Sequence, residues 1–474
     1  RFDVNIPAMV TVDDQTLLNE VVQDITFNGI MRVESDYGYI YRRKELKNAI
    51  HVTRILYPSI NAPRYLEEYT FKNNSQNPIT LRVPEWRVTY TTPEEAGVYG
   101  AYRIEASLSK KGTFILKPGE TLDFYAIYSG KKVSDDVTEK DNTAFSRITI
   151  QSERAGRQAL INQWWENLVL DTPDPVLNRM FAFAKLRGAE SIYRTKGGLM
   201  HGPGGEAYYA AVWANDQAEY INPFFPFLGY DIGNESALNA YRHFARYMNP
   251  EYNPIPSSII SEGVSFWHGA KDRGDGAMIA YGAARYALAR GDKEEARELW
   301  PLIEWCLEYC KRKLTPDGVV ASNSDELENR FPAGDANLCT STLYYDALRS
   351  AALLGREIGV SGKQLATYTA QAKALESAIE NHFGYEIEGF HSYRYYEGND
   401  ILRSWICMPL VMGIYTRAQG TIDALFSPRL WTNDGLLTQA GTETFWDRST
   451  LYALRGTIAA GEVEDTVVVT LDLT

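Results

Sequence analysis

Carboxylates stand beside arginine or tryptophan at five places from residue 213 onward. They are Trp213-Ala214-Asn215-Asp216, Asp272-Arg273-Gly274-Asp275, Asp325-Glu326-Leu327-Glu328-Asn329-Arg330, Glu397-Gly398-Asn399-Asp400 followed by Arg403 and Trp405, and Glu443-Thr444-Phe445-Trp446-Asp447-Arg448. Carboxylates and guanidiniums grip hydroxyl groups through paired hydrogen bonds, and an indole offers a flat apolar face. Together they suit a polyhydroxylated ligand such as a sugar. The third stretch crowds Asp325, Glu326 and Glu328 together, and mutual repulsion should raise the pKa of at least one, as a general acid requires. Each stretch alone has a simpler reading: an Asp at a helix start is a common N-cap, and Asp–Arg pairs are common salt bridges. Caps explain an Asp but not the Trp and Arg beside it.

The elements that must position these residues change character along the chain. Up to about residue 145 the pattern is short, alternating and rich in Val, Ile, Thr and Tyr, as in Ile79-Thr80-Leu81-Arg82-Val83 and Leu122-Asp123-Phe124-Tyr125-Ala126-Ile127-Tyr128. Turn residues punctuate it at Asn73 to Pro78 and at Lys117-Pro118-Gly119-Glu120. That pattern predicts an antiparallel β-sandwich over 1–145. Residues 146–173 read as a connector with a helical piece around Trp164-Trp165. From 174 to 474 the period is helical, with helices expected at 174–194, 212–229, 234–248, 275–290, 293–314, 335–358, 361–383, 400–416, 419–427 and 446–461.

These helices alternate. Those near 275, 335 and 400 carry small and apolar residues on most faces, whereas those near 293 and 361 have a charged face, so the first set is expected inside and the second outside. The loops alternate too: inner-to-outer turns are a few residues, and outer-to-inner loops run about 15 to 25 and hold the five clusters. An inner and an outer ring with every long loop at one end is an (α/α) toroid. An α-solenoid is the competing arrangement, but no fixed 34-residue repeat is visible. Ten helices are read, and the closing Glu464-Asp465-Thr466-Val467-Val468-Val469-Thr470-Leu471 reads as a strand, so the sixth hairpin is expected to be incomplete.

Composition narrows the ligand. A net charge of −13 argues against nucleic acid or an anionic membrane as the main partner. The 31 Tyr, 18 Phe and 10 Trp are compatible both with large packed cores and with sugar stacking. The longest apolar stretch, Trp405 to Ile414, is about half the ~20 residues a membrane-spanning helix needs. Cys306, Cys310, Cys339 and Cys407 all lie in apolar helical stretches and read as buried thiols, and no metal or cofactor site is expected. The chain starts at Arg1 without an initiator Met or an apolar signal core and reads as trimmed. A periplasmic or secreted location is the expectation.

The order of motifs over roughly 200 residues resembles the six-hairpin (α/α)6 glycosidases, the glucoamylase-type glycoside hydrolases. Tyr208 to Asp216 is similar to an aromatic-rich Trp-x-Arg-Asp segment, with Asn215 where that family has Arg. Arg273-Gly274-Asp275-Gly276-Ala277, Leu299-Trp300-Pro301-Leu302, Asp325-Glu326-Leu327-Glu328 and Gly398-Asn399-Asp400 resemble its later motifs. The resemblance implies a glycoside hydrolase, exo-acting on an oligosaccharide or polysaccharide and inverting, with Glu328 as general acid and Glu326 as the fallback. Trp213, Asp216, Arg273, Asp275, Asp400, Arg403 and Trp405 would line the innermost subsite, with Arg330 and Trp446 nearby. An inverting enzyme needs a second carboxylate about 6.5–9.5 Å from the acid, and Glu443 is the best substitute in view. A sugar phosphorylase, which needs no base, a silent glycan-binding protein and a polysaccharide lyase stay open; for the lyase, only His201 and His268 lie in long mouth loops.

Overall fold

The computed structural model describes residues 4–97, 99–134, 147–202, 211–260, 266–267 and 272–462. Tyr208 to Ala210, His268 and the closing stretch Glu464 to Leu471 therefore lie outside the described residues. The chain divides into two compact units, Arg1–Glu166 and Asn167–Thr474.

The first unit is an antiparallel β-sandwich. A single turn, α1 (Ile6–Met9), precedes β1 (Thr11–Val12), β2 (Gln15–Thr16), β3 (Leu18–Phe27), β4 (Met31–Tyr41), β5 (Lys44–Pro58), β6 (Arg64–Asn73), β7 (Ile79–Val83), β8 (Arg87–Thr91), β9 (Tyr102–Leu108), β10 (Gly112–Leu116) and β11 (Thr121–Lys132). They form a four-stranded sheet, β10-β7-β1-β2, and a seven-stranded sheet, β3-β4-β5-β6-β11-β9-β8. Alternation decides the core: Ile79, Leu81 and Val83 on β7 are buried with Tyr69 and Phe71 on β6 and Phe124 on β11. Phe124 stacks on both aromatics at 5.4 Å between ring centroids. The Asn-rich turn works through Asn73, whose amide donates to the carbonyls of Asn77 (2.8 Å) and Leu116 (2.9 Å). The helix read as part of a connector, α2 (Arg147–Glu166), closes this unit. Its Ile150 packs with Tyr57 and Leu66, and Arg157 donates twice to the Gly29 carbonyl.

The second unit is the helical toroid. Its outer helices are α3 (Pro175–Glu190), α5 (Asp231–Ala245), α7 (Lys293–Arg312), α9 (Gly362–Phe383) and α11 (Ala418–Leu425); its inner ones are α4 (Asn222–Leu228), α6 (Asp275–Arg290), α8 (Leu338–Ile358), α10 (Met408–Val411) and α12 (Asp447–Ala459). The described residues thus hold five outer–inner pairs. Sequence chemistry starts them cleanly: Asp174 accepts from the amides of Val176 and Leu177, and Asp292 from those of Glu294 and Glu295. Along α6, twelve of sixteen residues are buried, as an inner helix requires. The four cysteines are buried and free, and no described helix is long and apolar enough to cross a membrane.

Two expected helices are interrupted. Over 212–229, Ala211–Trp213 is a strand, β14, paired with β15 (Ser258–Ile260), which also pairs with β16 (Phe266–Trp267). A π-turn, Asp216–Ile221, then leads into α4. Pro223 and Pro226 lack the N–H that a continuous helix would use. Over 400–416, a 3₁₀ turn at Ser404–Cys407 leads into the short α10, which ends where Gly413 adopts φ +85°. Small hairpins also sit between helices: β12 (Ile192–Thr195) with β13 (Gly198–His201), β17 (Gly384–Ile387) with β18 (Phe390–Tyr393), and β19 (Trp431–Thr432) with β20 (Gly435–Leu436).

The π-turn is held against α6 by close backbone approach. A methyl group at Gly282 would stand 2.0 Å from the Ala218 carbonyl oxygen, a backbone atom that cannot swing aside. Gly282→Ala is therefore expected to destabilise the toroid by about 1–3 kcal/mol through overpacking, despite the higher helix propensity of Ala. Denaturant unfolding monitored by tryptophan fluorescence checks this, and an unchanged midpoint would refute the close contact.

Candidate active site

The five inner helices run in the same direction, because each is separated from the next by an outer helix. Their N-terminal ends share one opening, where the long loops converge. Arg273 is the hub of this mouth. It precedes α6 by two residues, and the intervening Gly274 holds φ +87° while a Cβ there would meet Thr340 Oγ1 at 2.4 Å, so only glycine fits. Arg273 is 1% exposed. Its Nη2 donates to Asp275 Oδ1 (2.9 Å), its Nη1 to Glu328 Oε1 (3.1 Å), and the guanidinium lies 5.8 Å from the Trp213 ring centroid. Asp275 accepts in addition from the Ser257 hydroxyl at 2.7 Å.

Asn215 carries the network onward. Its carbonyl oxygen accepts from Arg273 Nη2 (3.4 Å) and its amide donates to Glu326 Oε2 (3.0 Å). An arginine, which only donates, could not make both links. Glu326 also accepts from the Tyr220 hydroxyl (3.1 Å) and from Arg448 Nη1 (2.6 Å). Arg448 extends its other nitrogen to Asp216 and lies over the rings of Tyr220 (4.4 Å) and Trp446 (5.2 Å). Burial pushes the Asp216 carboxyl above its ordinary value, opposed by Arg448 and reinforced by Glu326.

The two acidic candidates differ sharply. Glu326 has a fully buried side chain, and three side-chain donors converge on it, an environment made for an acceptor. Glu328 has a side chain 23% exposed, with one oxygen on Arg273 and the other 3.8 Å from Arg330. Glu328 and Asn329 both adopt left-handed backbone, φ +56° and +65°. Non-glycine residues pay a steric penalty there, and such positions cluster at functional sites. Asp325 anchors this turn: it accepts from the Leu327 amide (2.8 Å) and the Tyr395 hydroxyl (2.8 Å). Burial raises the Asp325 carboxyl, the Tyr395 hydrogen bond opposes the rise and Glu326 adds to it.

Trp213, Asp216, Arg273, Asp275, Glu326, Glu328 and Trp446 are thus brought together, with Arg330 exposed beside Glu328. Arg403 and Trp405 lie deeper. Arg403 is 1% exposed, its guanidinium set over the rings of Tyr395 (4.7 Å) and Phe331 (5.1 Å), and its Nη1 donates to the Pro332 carbonyl. Trp405 is packed against Trp446 and Tyr452, so Trp446 and Trp213, both half-buried, are the indoles open to the mouth. Asp400 and Glu443 are exposed and share no hydrogen bond or ion pair with the cluster among the described residues. For Asp400 the reason is local: the helix expected to begin there starts at Ser404, after a turn closed by Asn399 onto the Tyr395 amide. His201 is buried on β13, where burial lowers it to about 4.

Sequence reasoning overlooked Tyr220 and Glu219, and it quoted Arg448 in its cluster without giving it a role. Tyr220 stands four residues after Asp216 and Tyr452 four after Arg448, spacings that could have marked shared faces. The Tyr452 hydroxyl donates to Glu219 Oε2 at 2.9 Å. Burial drives the Glu219 carboxyl well above its ordinary value, and Glu326 pushes the same way.

No protein-family model and no curated protein matches the sequence. Solved structures do match in three dimensions. A bacterial glucoamylase complexed with acarbose is similar at a TM-score of 0.57 and 10% identity, over 98% of this chain and 85% of that one. A protein assigned as a kojibiose phosphorylase, from the human microbiome, is similar at 0.56 and 10% identity, over 96% and 71%. A glycosidase with one Glu-to-Ala substitution, in complex with glucose, is similar at 0.50 and 13% identity, over 63% and 83%. The chain shares their fold, that of the glucoamylase-type six-hairpin glycosidases.

Arg448→Ala would strand Glu326 and Asp216 in a buried setting and should cost about 3–5 kcal/mol, read as a lowered unfolding midpoint; a cost under ~1 kcal/mol would mean that the carboxylates find other partners. For Glu219, the raised folded pKa means that the unfolded chain loses this proton first as pH rises. The stability it contributes is full below about pH 4.5 and is lost upward towards the folded pKa, at about 1.4 kcal/mol per pH unit. Glu219→Gln should therefore match the parent near pH 4 and exceed it increasingly towards neutrality. Parallel curves in a pH series of thermal melts would refute a protonated Glu219.

Proposed function

We propose that the toroid is a glycoside hydrolase domain acting on an oligosaccharide or polysaccharide, with Glu328 as the general acid. The observation that carries this reading is the pairing of a part-exposed carboxyl on strained backbone with a buried Arg273, beside the half-buried Trp213, at the mouth of a fold shared with glucoamylase. A sugar ring stacked on Trp213 or Trp446 would present its hydroxyls to Asp216 and Asp275. Glu328, held by Arg273 through one oxygen only, keeps the other for the glycosidic oxygen. Protonation of that oxygen lets the leaving group depart as an alcohol while positive charge develops on the sugar. The buried carboxylates Glu326 and Asp275 would stabilise that charge electrostatically. Water attacking from the opposite face would complete an inverting reaction, with its proton passing to a carboxylate across the cleft.

A second reading, phosphorolysis, is favoured by Arg330, whose exposed guanidinium stands 3.8 Å from Glu328, and by the likeness to the kojibiose phosphorylase. Phosphate held there would replace water as the nucleophile. Product analysis separates the two: hydrolysis releases free sugar without added phosphate, whereas phosphorolysis releases a sugar phosphate.

Glu328→Gln should lower turnover by about 10²–10⁴-fold while oligosaccharide binding, measured by calorimetry, persists. Near-normal turnover would reject Glu328 as the acid; the same loss in Glu326→Gln alone would move the role there.

A further inference from the structure

The mouth uses only one end of the inner ring. Beyond it, residues of the π-turn and α4 and of the later parts of α6, α8, α10 and α12 line an open cavity of about 810 Å³. Small-molecule sites in proteins are typically about 300–1,000 Å³, largely apolar, and carry a few placed polar groups. This cavity has that composition. Phe224, Leu353 and Met412 supply apolar wall, and Arg285, Arg349 and Arg455 supply guanidiniums.

The charge does not cancel. Arg285 is neutralised by Asp346 through paired bonds of 2.9 and 2.8 Å. Arg349 and Arg455 have no carboxylate within 4 Å among the described residues. Arg349 donates through Nη1 to the Met412 carbonyl (3.1 Å) and lies over the Tyr345 ring; Arg455 has the Tyr281 hydroxyl at 3.4 Å. Glu219, the remaining acidic group in the wall, is fully buried; burial raises its carboxyl well above the ordinary value, and it accepts from the Tyr452 hydroxyl, not from either arginine. Arginines near helix C-termini ordinarily serve to cover unpaired carbonyls. The Met412 bond does that with one N–H of Arg349, which also meets the Tyr345 side chain, and its exposed fork faces no carboxylate among the described residues. Arg455 covers no carbonyl among the described residues.

We propose that this far-end cavity is a second ligand site, taking a small organic oxyanion, a carboxylate or phosphate on a hexose-sized body, between Arg349 and Arg455. The anion forms paired hydrogen bonds with the two guanidinium forks, the geometry for which arginine is suited. The body of the ligand lies against Phe224 and Met412. Tyr220 lines this cavity and also donates to Glu326 of the mouth, so the two sites adjoin, but the proposal does not rest on the assignment of Glu328.

Calorimetry and thermal shift at constant ionic strength test it, with glucose 6-phosphate and gluconate as probes, inorganic phosphate as the bodiless anion and glucose as the uncharged control. The expected result is saturable binding of at least one organic anion, weaker binding of inorganic phosphate, and no far-end binding of glucose. In Arg349→Ala/Arg455→Ala the affinity should fall about tenfold or more, with an unfolding midpoint near that of the parent. Arg349→Lys/Arg455→Lys, which keeps the charge and loses the forks, should fall in between. Glu328→Gln should leave the binding unchanged. Binding that survives the double alanine variant, binding lost in a mouth variant, or inorganic phosphate binding as tightly as the organic probes would each overturn the proposal, as would the absence of any saturable binding.

Discussion

Charge burial is the constraint that the mouth of the toroid is built around. Asp216, Asp275, Glu326 and Glu328 share two guanidiniums, those of Arg273 and Arg448. A carboxylate withdrawn from water without partners costs far more than any single contact returns, so each must be met by donors at short range. The inner helices help, since their N-termini carry partial positive charge and all face this end. Strand β14, the π-turn after it and Gly274 all have an intelligible purpose in this light. They set Trp213, Asn215, Asp216 and Arg273 at the distances that pairing demands.

The same polar groups close the ring. Neighbouring inner helices elsewhere meet through small residues and close backbone, as where Gly282 on α6 touches Ala218. Between α12 and the first inner segment, the join is made by side chains instead. Arg448 reaches Asp216, Tyr452 reaches Glu219, and Arg455 reaches Tyr281 on α6. Residues more than 170 positions apart are linked in each case. The network is therefore both the floor of the candidate site and the fastening of the fold, and the two roles cannot be varied independently.

Periodicity made the architecture legible. The helices near 275 and 335, small and apolar on most faces, were expected inside and are the buried inner ones. Strands in the first unit followed from alternation, down to the turn organised by Asn73. Short pieces escaped because their stability is tertiary: β14 exists by pairing with Ser258–Ile260, forty-odd residues away, and nothing local in Ala211-Val212-Trp213 prescribes it. The site was legible as residue types but not as partners. Arg273, Asp275, Glu326 and Glu328 stood out beside one another in the chain, whereas Arg448 meets Glu326 across 122 residues. Asp400 and Glu443 carried the same local signature as the others and yet are exposed. A motif records which chemistry is present, and only the path of the chain decides which copies converge.

The turn at Glu328 and Asn329 has a consequence for how the molecule fails. Two successive L-residues in left-handed geometry hold back about 1–2 kcal/mol each relative to relaxed backbone. The grip of Asp325 on the Leu327 amide, of Tyr395 on Asp325 and of Arg273 on the Glu328 carboxyl keeps that tension in place. Such a loop behaves like a cocked spring resting on a stiff frame: as heat or denaturant loosens the latch, the Glu328 carboxyl swings away first. The proposed activity would then fade while circular dichroism still reports an intact ring of helices.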